Sequence, residues 1–480
     1  MNIEVIDLKK TAIILVMAII ISVIAGAFPF SASAAGALIG DIDKDGVLTV
    51  SDVLLTLRAS AGLYEYDEEE LPVFDVWNDG TVGVEDALGV MRSSMGMIGS
   101  FGKTGVQLSF TPNAAAQAAT VTQAMLDRAI VSTDGSSRIA KVMQKAARGE
   151  TISIVTLGGS ITHGSGASVE SKRYANIVAQ WWRTAFPQAN VKFHNSGIGA
   201  TGSMLGVHRL ERDVYKYEPD LLVVEFAVND TSDGNQESYE NLIRRVVTQS
   251  PDTAIIMLFM TTEWFSDKQA EEVPVGRAYG IPMISYRDAI KPEVEAGRYT
   301  FKTQLSDDGT HPNDFGYAIV GNLITSYLDG VKNVYADYST IIPEVPAQPM
   351  TSEKYMNAKM YWCNEGLEPT QLGSWTTDTY GFYDFRGSWY ITKGVRPMIF
   401  EVDAQNIKIL YEKVIDESKS GKIKVSVDGG GAVIVDSYFQ NGWGNYQTIA
   451  DVYDGTEFKT RRLRIALSGG MFRIAAILIS

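Results

Sequence analysis

Three side chains far apart in this 480-residue chain have the types that acyl chemistry needs: a serine, a histidine shadowed by a carboxylate, and a neutral amide. Leu157-Gly158-Gly159-Ser160-Ile161-Thr162 puts Ser160 where an apolar run breaks into a turn, and the two glycines allow a tight backbone with its amides facing outward. Taken alone, such a turn is also a structural turn or a phosphate-binding loop. Asp308-Gly309-Thr310-His311 sets a carboxylate three residues before an imidazole, so one local turn lets it orient the ring and stabilise the protonated form. A serine hydroxyl is barely nucleophilic without such a base. An Asp/His pair also suits a metal, but no further ligand accompanies it at a metal-binding spacing. Glu225-Phe226-Ala227-Val228-Asn229-Asp230 ends an apolar run in an amide, which can donate to an oxyanion without adding a full charge, or simply cap a helix. Asn195-Ser196-Gly197-Ile198-Gly199-Ala200-Thr201-Gly202 is a flexible turn able to aim one backbone N–H at the same point.

A second kind of chemistry is written nearer the start. Counted from Asp41, the carboxylates of Asp41, Asp43, Asp45 and Asp52 fall at positions 1, 3, 5 and 12 of a loop, with Gly46 at the sharp turn and Val47 and Thr49 at positions 7 and 9. That spacing wraps oxygen ligands around calcium. The pattern returns with Asp75, Asp79, Thr81 and Asp86, but Trp77 occupies position 3 and an indole cannot coordinate calcium. Each loop runs into a helical stretch, Val53 to Ala61 and Ala87 to Met95. This duplicated loop-helix unit over 38–98 resembles a dockerin, and the resemblance implies two structural Ca2+ ions and a cohesin domain of a scaffoldin as partner. The residues at positions 10 and 11, Val50-Ser51 and Val84-Glu85, differ between the halves, which disfavours symmetrical two-way docking.

The elements that must carry Ser160, Asn229 and His311 alternate between two periods. Ile152 to Leu157, Leu221 to Val228 and Ala254 to Met260 are near-continuous apolar runs, as strands covered on both faces require; Tyr174 to Phe186, Tyr239 to Thr248 and Phe315 to Leu328 have helical spacing. Together these predict a parallel sheet between helices, with chemistry beyond the carboxyl ends of its strands. The four motifs, in this order, resemble the GDSL/SGNH hydrolase family, which implies a flavodoxin-like three-layer α/β fold over 120–335. The resemblance makes Ser160 the nucleophile and an oxyanion donor, Asn229 a side-chain donor, His311 the base and Asp308 its orienting group. It puts the remaining backbone donor at Ala200, with Gly199 beside it as the alternative. Gly-x-Ser-x-Gly is absent, so the α/β-hydrolase fold is the weaker reading.

Composition sets the limits around these motifs. Lys+Arg 42 against Asp+Glu 57 leaves a net charge of −15, which argues against nucleic acid as a partner. The single Cys363 forms no internal disulfide. Lys9 and Lys10, the apolar run from Thr11 to Phe30 and Ala32-Ser33-Ala34 read as a signal peptide cleaved after Ala34, giving an extracellular protein with no membrane segment after cleavage. Residues 99–119, rich in Gly, Ser, Thr and Ala, read as a linker. Over 336–480 the runs Met398 to Val402, Ile407 to Tyr411 and Ile423 to Val427 between Gly- and Asp-rich turns predict a β-sandwich of jelly-roll type, with Trp375, Trp389, Tyr390 and Trp443 as sugar-stacking candidates. A sandwich beside such a catalytic domain resembles carbohydrate esterases of family 2, with the order of the two reversed.

The expectation is therefore a secreted, cellulosome-attached serine esterase that deacetylates plant polysaccharide, acetylxylan esterase-like, with calcium confined to the docking module and no cofactor for catalysis. A lipase or thioesterase acting on longer acyl chains, and a catalytically inactive carbohydrate-binding protein, are the alternatives.

Overall fold

The computed structural model describes residues 39–45, 47–67, 70–76, 81–94, 108–230, 235–338, 345–363, 365–380, 385 and 387–480. The expected signal peptide over 1–34 lies outside the described residues, as do Gly46, Trp77 and the expected calcium ligand Asp79.

Helices Val50–Ser60 and Val84–Ser94 pack on each other through Val53, Leu57, Ala87 and Val90. Thr49 caps the first helix, its hydroxyl accepting the Ser51 N–H while Asp52 accepts the Thr49 N–H in return. The second half repeats this last bond, with Gly83 N–H donating to Asp86 at 2.7 Å.

The central sheet contains β1 (Ile130–Ser132), β2 (Thr151–Gly158), β3 (Asn190–Gly197), β4 (Leu221–Glu225), β5 (Ala254–Phe259) and β6 (Met283–Ser285), in the order β1-β6-β5-β4-β2-β3. Strands β2 to β6 pair in parallel, and β1 runs antiparallel to β6. The expected all-parallel sheet therefore needs correcting at one edge, where a three-residue strand is too short to carry a periodic signal. Along the apolar runs, successive side chains enter opposite cores. Ile154, Leu221, Val223 and Ile256 meet helices Ser136–Ala147, Tyr174–Ala185 and Asp314–Lys332. Val155, Leu222, Val224 and Met257 meet helices Asn235–Gln249 and Gln269–Ala278. The order reverses at β2, which sends the chain first to β3 and then back to β4, so a crevice opens beyond the carboxyl ends of β2 and β4.

Two boundaries differ from the sequence expectation. Strand β4 stops at Glu225, and Phe226 to Asp230 fold back in a turn in which the N–H groups of Asn229 and Asp230 both donate to the Phe226 carbonyl. Phe226 and Ala227 are apolar because they are buried beneath that turn, not because they are extended. Residues 108–119, expected as linker, belong to the α/β unit: Asn113 caps the helix Ala114–Ala118 and donates to Asp329, and Ala116 and Ala119 enter the core.

The last unit is one antiparallel sheet of β7 (Lys359–Trp362), β8 (Thr376–Asp378), β9 (Ser388–Ile391), β10 (Met398–Lys413), β11 (Gly421–Val427), β12 (Val433–Asp436), β13 (Tyr446–Gly470) and β14 (Phe472–Ile479). The strands of the expected β-sandwich form one hydrogen-bonded sheet, through which the 16-residue β10 and 25-residue β13 run continuously; most of its buried residues share one core, while Leu410, Ala476 and Leu478 pack with Ile198 and Leu205 of the α/β unit. The apolar runs 398–402 and 407–411 are thus one strand. A register shift between Ala404 and Asn406 moves the core-facing residues from Phe400, Val402 and Ala404 to Ile407, Ile409 and Tyr411. Residues 345–358 hold this unit to the α/β unit. Glu240 accepts the N–H groups of Met350 and Thr351, and Arg244 donates to the Pro346 and Ala347 carbonyls.

Candidate active site

Strand β2 delivers Gly158 and Gly159 to the crevice, and Ser160 begins a four-residue helix, Ser160–His163. Both glycines are required by close approach. A Cβ on Gly158 would lie 2.1 Å from Thr162 Oγ1, and one on Gly159 would lie 2.1 Å from Asn229 Oδ1. Beneath the turn, Thr162 donates to Glu225 Oε2 at 2.9 Å and pairs with the Tyr174 hydroxyl at 2.8 Å. Burial pushes the Glu225 carboxyl up to about 8, against the lowering effect of its hydrogen bonds. Arg209, fully buried, donates to the carbonyls of Gly158 and Ser196 and to Asp213, so it clamps the ends of β2 and β3 together.

The Asn229 turn meets the Ala200 turn at the same place. Asp230 accepts the Ser203 N–H at 2.7 Å, and a Cβ on the intervening Gly202 would strike the Asp230 carboxylate at 2.3 Å. Ala200 has φ +59°, a left-handed conformation that favours glycine, and the turn is closed by Thr201 donating to the Ile198 carbonyl. Among the described residues the backbone N–H groups of Ser160, Gly199 and Ala200 have no acceptor within the chain. Two turns therefore present uncommitted backbone donors, beside the half-buried Asn229 amide of a third.

The third component comes from the loop before helix Asp314–Lys332. His311 Nδ1 lies 2.6 Å from Asp308 Oδ2, and its Nε2 lies 2.8 Å from Ser160 Oγ. With the Nδ1 proton donated to the carboxylate, Nε2 is left to accept from the serine hydroxyl. Asp308 Oδ1 also accepts the N–H groups of Thr310 and His311. Burial alone would raise the Asp308 carboxyl, but these bonds and the imidazole outweigh it and hold the group near 2, an anion throughout the neutral range. The loop is fixed by Asn313, which caps the following helix, and by Gly309 at φ +82°.

Ser160, His311, Asp308 and Asn229, named from the sequence, are thus brought together, with Ala200 and Gly199 in the adjoining turn. Of the other histidines, His194 stacks on Tyr217, His208 is buried against the Met204 carbonyl, and His163, which ends the helix that Ser160 begins, has Nδ1 3.3 Å from the Gly197 carbonyl. Arg209 and Glu225 escaped sequence reasoning because an isolated buried charge leaves no pattern. Of the sugar-stacking candidates, Trp375 and Trp389 are only 2% and 1% exposed and belong to the core, while Trp443 is 69% exposed. Asn229 and Ala200 also line a cleft of about 400 Å³ together with Lys408, Gln447 and Asp451 of the last unit.

In the first acidic loop, ligand atoms of Asp41, Asp43 and Asp45 all lie within 4.8 Å of one another. Three carboxylates so placed repel unless a cation joins them, so the donor set fits a hard oxygen-seeking ion. Asp52 is buried and accepts the N–H groups of Ile42 and Thr49, each at 2.8 Å. Val47 donates its N–H to Asp45, and Thr49 is engaged in the helix cap. In the second loop Asp75 and Asp86 are buried, and Thr81 lies between them along the chain. No helix of the described residues is long and apolar enough to cross a membrane.

A family model described as GDSL-like Lipase/Acylhydrolase matches residues 156–319. Among solved structures, a two-domain esterase active on acetylated mannans, co-crystallised with mannopentaose, is 30% identical, with 74% of this chain and 97% of that one covered and a TM-score of 0.68. A second structure of a two-domain esterase active on acetylated mannans gives 29% identity, 74% and 98% coverage and the same TM-score. No curated protein matches the chain.

Proposed function

The chain belongs to the GDSL-like lipase/acylhydrolase family and is an esterase, and from that premise we propose that it removes acetyl groups from plant cell-wall polysaccharide by a Ser-His-Asp mechanism. The 2.8 Å and 2.6 Å contacts that link Ser160 to His311 and His311 to Asp308 are the observation that carries this reading. Ser160 Oγ attacks the ester carbonyl as His311 Nε2 takes its proton, and Asp308 stabilises the imidazolium. The tetrahedral oxyanion rests on the N–H of Ser160, the side-chain amide of Asn229 and the N–H of Ala200 or Gly199. His311 then returns the proton to the ester oxygen of the sugar as its bond to the acyl carbon breaks, the sugar leaves as the free hydroxyl, and water activated by the same imidazole releases acetate from the acyl-serine.

Acetylated mannan is the first substrate to test, because the relative 97% covered by this chain acts on acetylated mannans, and acetylated xylan is the second. Acetate release from both, set against an octanoyl ester, distinguishes a polysaccharide deacetylase from a lipase or thioesterase. Ser160→Ala abolishes release if the reading holds; unchanged release in that variant rejects it. The acidic loops we assign to structural calcium, held by Asp41, Asp43, Asp45 and Asp52 in the first loop and by Asp75 and Asp86 in the second. In this reading the N-terminal unit is a dockerin that attaches the secreted enzyme to a cohesin, and no catalytic step involves the metal.

A further inference from the structure

Trp264 is the most exposed of the large apolar side chains flanking the site, at 75%, although indole is among the side chains that gain most from burial. It stands in the loop that leaves β5 at the carboxyl edge of the sheet, and this loop is fastened to both halves of the catalytic constellation. At one end Glu263 donates its N–H to the carbonyl of Gly309, between Asp308 and His311, at 2.8 Å; at the other, Lys268 donates to the carbonyl of Ala227, two residues before Asn229, at 2.8 Å. The Glu263 carboxylate lies so close to Gly309 that a Cβ there would meet Oε1 at 2.5 Å. Trp264 is thus the residue next to the one that is hydrogen-bonded to the His311 loop.

The loop is built to hold the indole outward. Phe265 N–H closes a turn onto the Thr262 carbonyl at 2.9 Å, and Phe265 has φ +52°, a left-handed conformation that a bulky aromatic residue rarely adopts. Its ring is turned inward, edge-on to Phe301 at 6.0 Å. Phe301 opens the segment that leads into Ser306 and Asp308. A strained backbone with one aromatic residue anchored and its neighbour in solvent, tied by hydrogen bonds to two catalytic loops, is a rigidly presented flat apolar surface.

We propose that Trp264 is a specificity-determining residue that stacks on a pyranose ring of the polysaccharide beside the acetylated sugar. The inference rests on the esterase reading above and extends it to the leaving-group side of the ester. The axial C–H groups of a pyranose form a flat apolar face that matches an indole, whereas the carbohydrate hydroxyls at the ring edge remain in water. An acetyl group is too small to occupy an exposed bicyclic ring, so a contact that large belongs to the sugar.

The test compares the full-length wild type with Trp264→Ala and Trp264→Phe on an acetylated manno-oligosaccharide, on 4-nitrophenyl acetate and on 4-nitrophenyl octanoate. For Trp264→Ala, kcat/KM on the oligosaccharide falls at least ten-fold more than on 4-nitrophenyl acetate, mostly through KM, and Trp264→Phe recovers most of the difference. Equal losses on all three esters would make the ring a support for the His311 loop and overturn the proposal. A loss confined to the octanoyl ester would make it an acyl-chain contact, and no loss on any would give it no role. If the wild type hydrolyses none of these esters, the esterase reading itself fails; if it hydrolyses them and only the Trp264 pattern is missing, that reading stands alone.

Discussion

Replacing Gly159 by alanine tests the oxyanion assignment without touching any group assigned a chemical role. Gly159 has φ −87° and ψ −150°, an extended conformation open to any residue, so the substitution is steric in origin rather than a backbone strain. The new methyl carbon would stand 2.1 Å from Asn229 Oδ1 and 3.0 Å from its Cγ, where ordinary contact begins at 3.4 Å. The amide must therefore retreat by roughly an ångström or more, and a donor displaced by that much no longer meets the oxyanion, a loss of about 10²-fold. Removal of a whole oxyanion donor costs about 10²–10³ in kcat, or about 3–4 kcal/mol, which sets the upper end of the expectation. Steady-state hydrolysis of 4-nitrophenyl acetate by Gly159→Ala, Asn229→Ala and the double variant gives the answer. Both single variants lose about 10²-fold or more in kcat, and the double variant loses little beyond Asn229→Ala, since both act through the same amide. A Gly159→Ala enzyme within three-fold of wild type, or full additivity of the two losses, would refute the assignment.

Two further predictions concern stability. The Glu225 carboxyl is raised to about 8 from an ordinary 4.5 by burial, so the folded state keeps a proton that the unfolded chain gives up. Its contribution is complete below about pH 4.5 and is lost as the pH rises toward 8, at most roughly 5 kcal/mol by linkage. Thermal melts of wild type between pH 5 and 9 should fall more steeply than those of Glu225→Gln, and parallel curves would show that Glu225 does not carry the proton. Calcium titrated into the metal-stripped full-length protein should bind and raise the melting of the N-terminal unit. Asp41→Ala with Asp43→Ala should remove binding at the first loop, while a calorimetric trace without binding heat and without a shift in melting would reject calcium there.

What could be read from the sequence was whatever had a period or a fixed spacing. The strands from 152, 221 and 254 announced themselves because residues alternately face two cores, which leaves their runs nearly all apolar, with Ser153 and Thr156 the buried polar exceptions in the first. The serine, histidine and aspartate were legible because the Asp308-to-His311 spacing closes within one turn. The path of β4 was not, because Phe226 and Ala227 are as apolar in a buried turn as in a strand. Nor was the continuity of β10, since the shift near Ala404 breaks the alternation that would have joined its two halves. Arg209 and the loop that carries Trp264, through Glu263 and Lys268, are placed by bonds to residues distant in the chain, and neither leaves a trace in local composition.

The central claim is that Ser160 is made nucleophilic by His311 across 2.8 Å. A serine-directed fluorophosphonate followed by intact-mass and peptide mass spectrometry measures this directly. One adduct should form, on Ser160, and its rate of formation should fall by about 10³-fold or more in His311→Ala. Labelling at another residue, or an undiminished rate without the imidazole, would contradict the account.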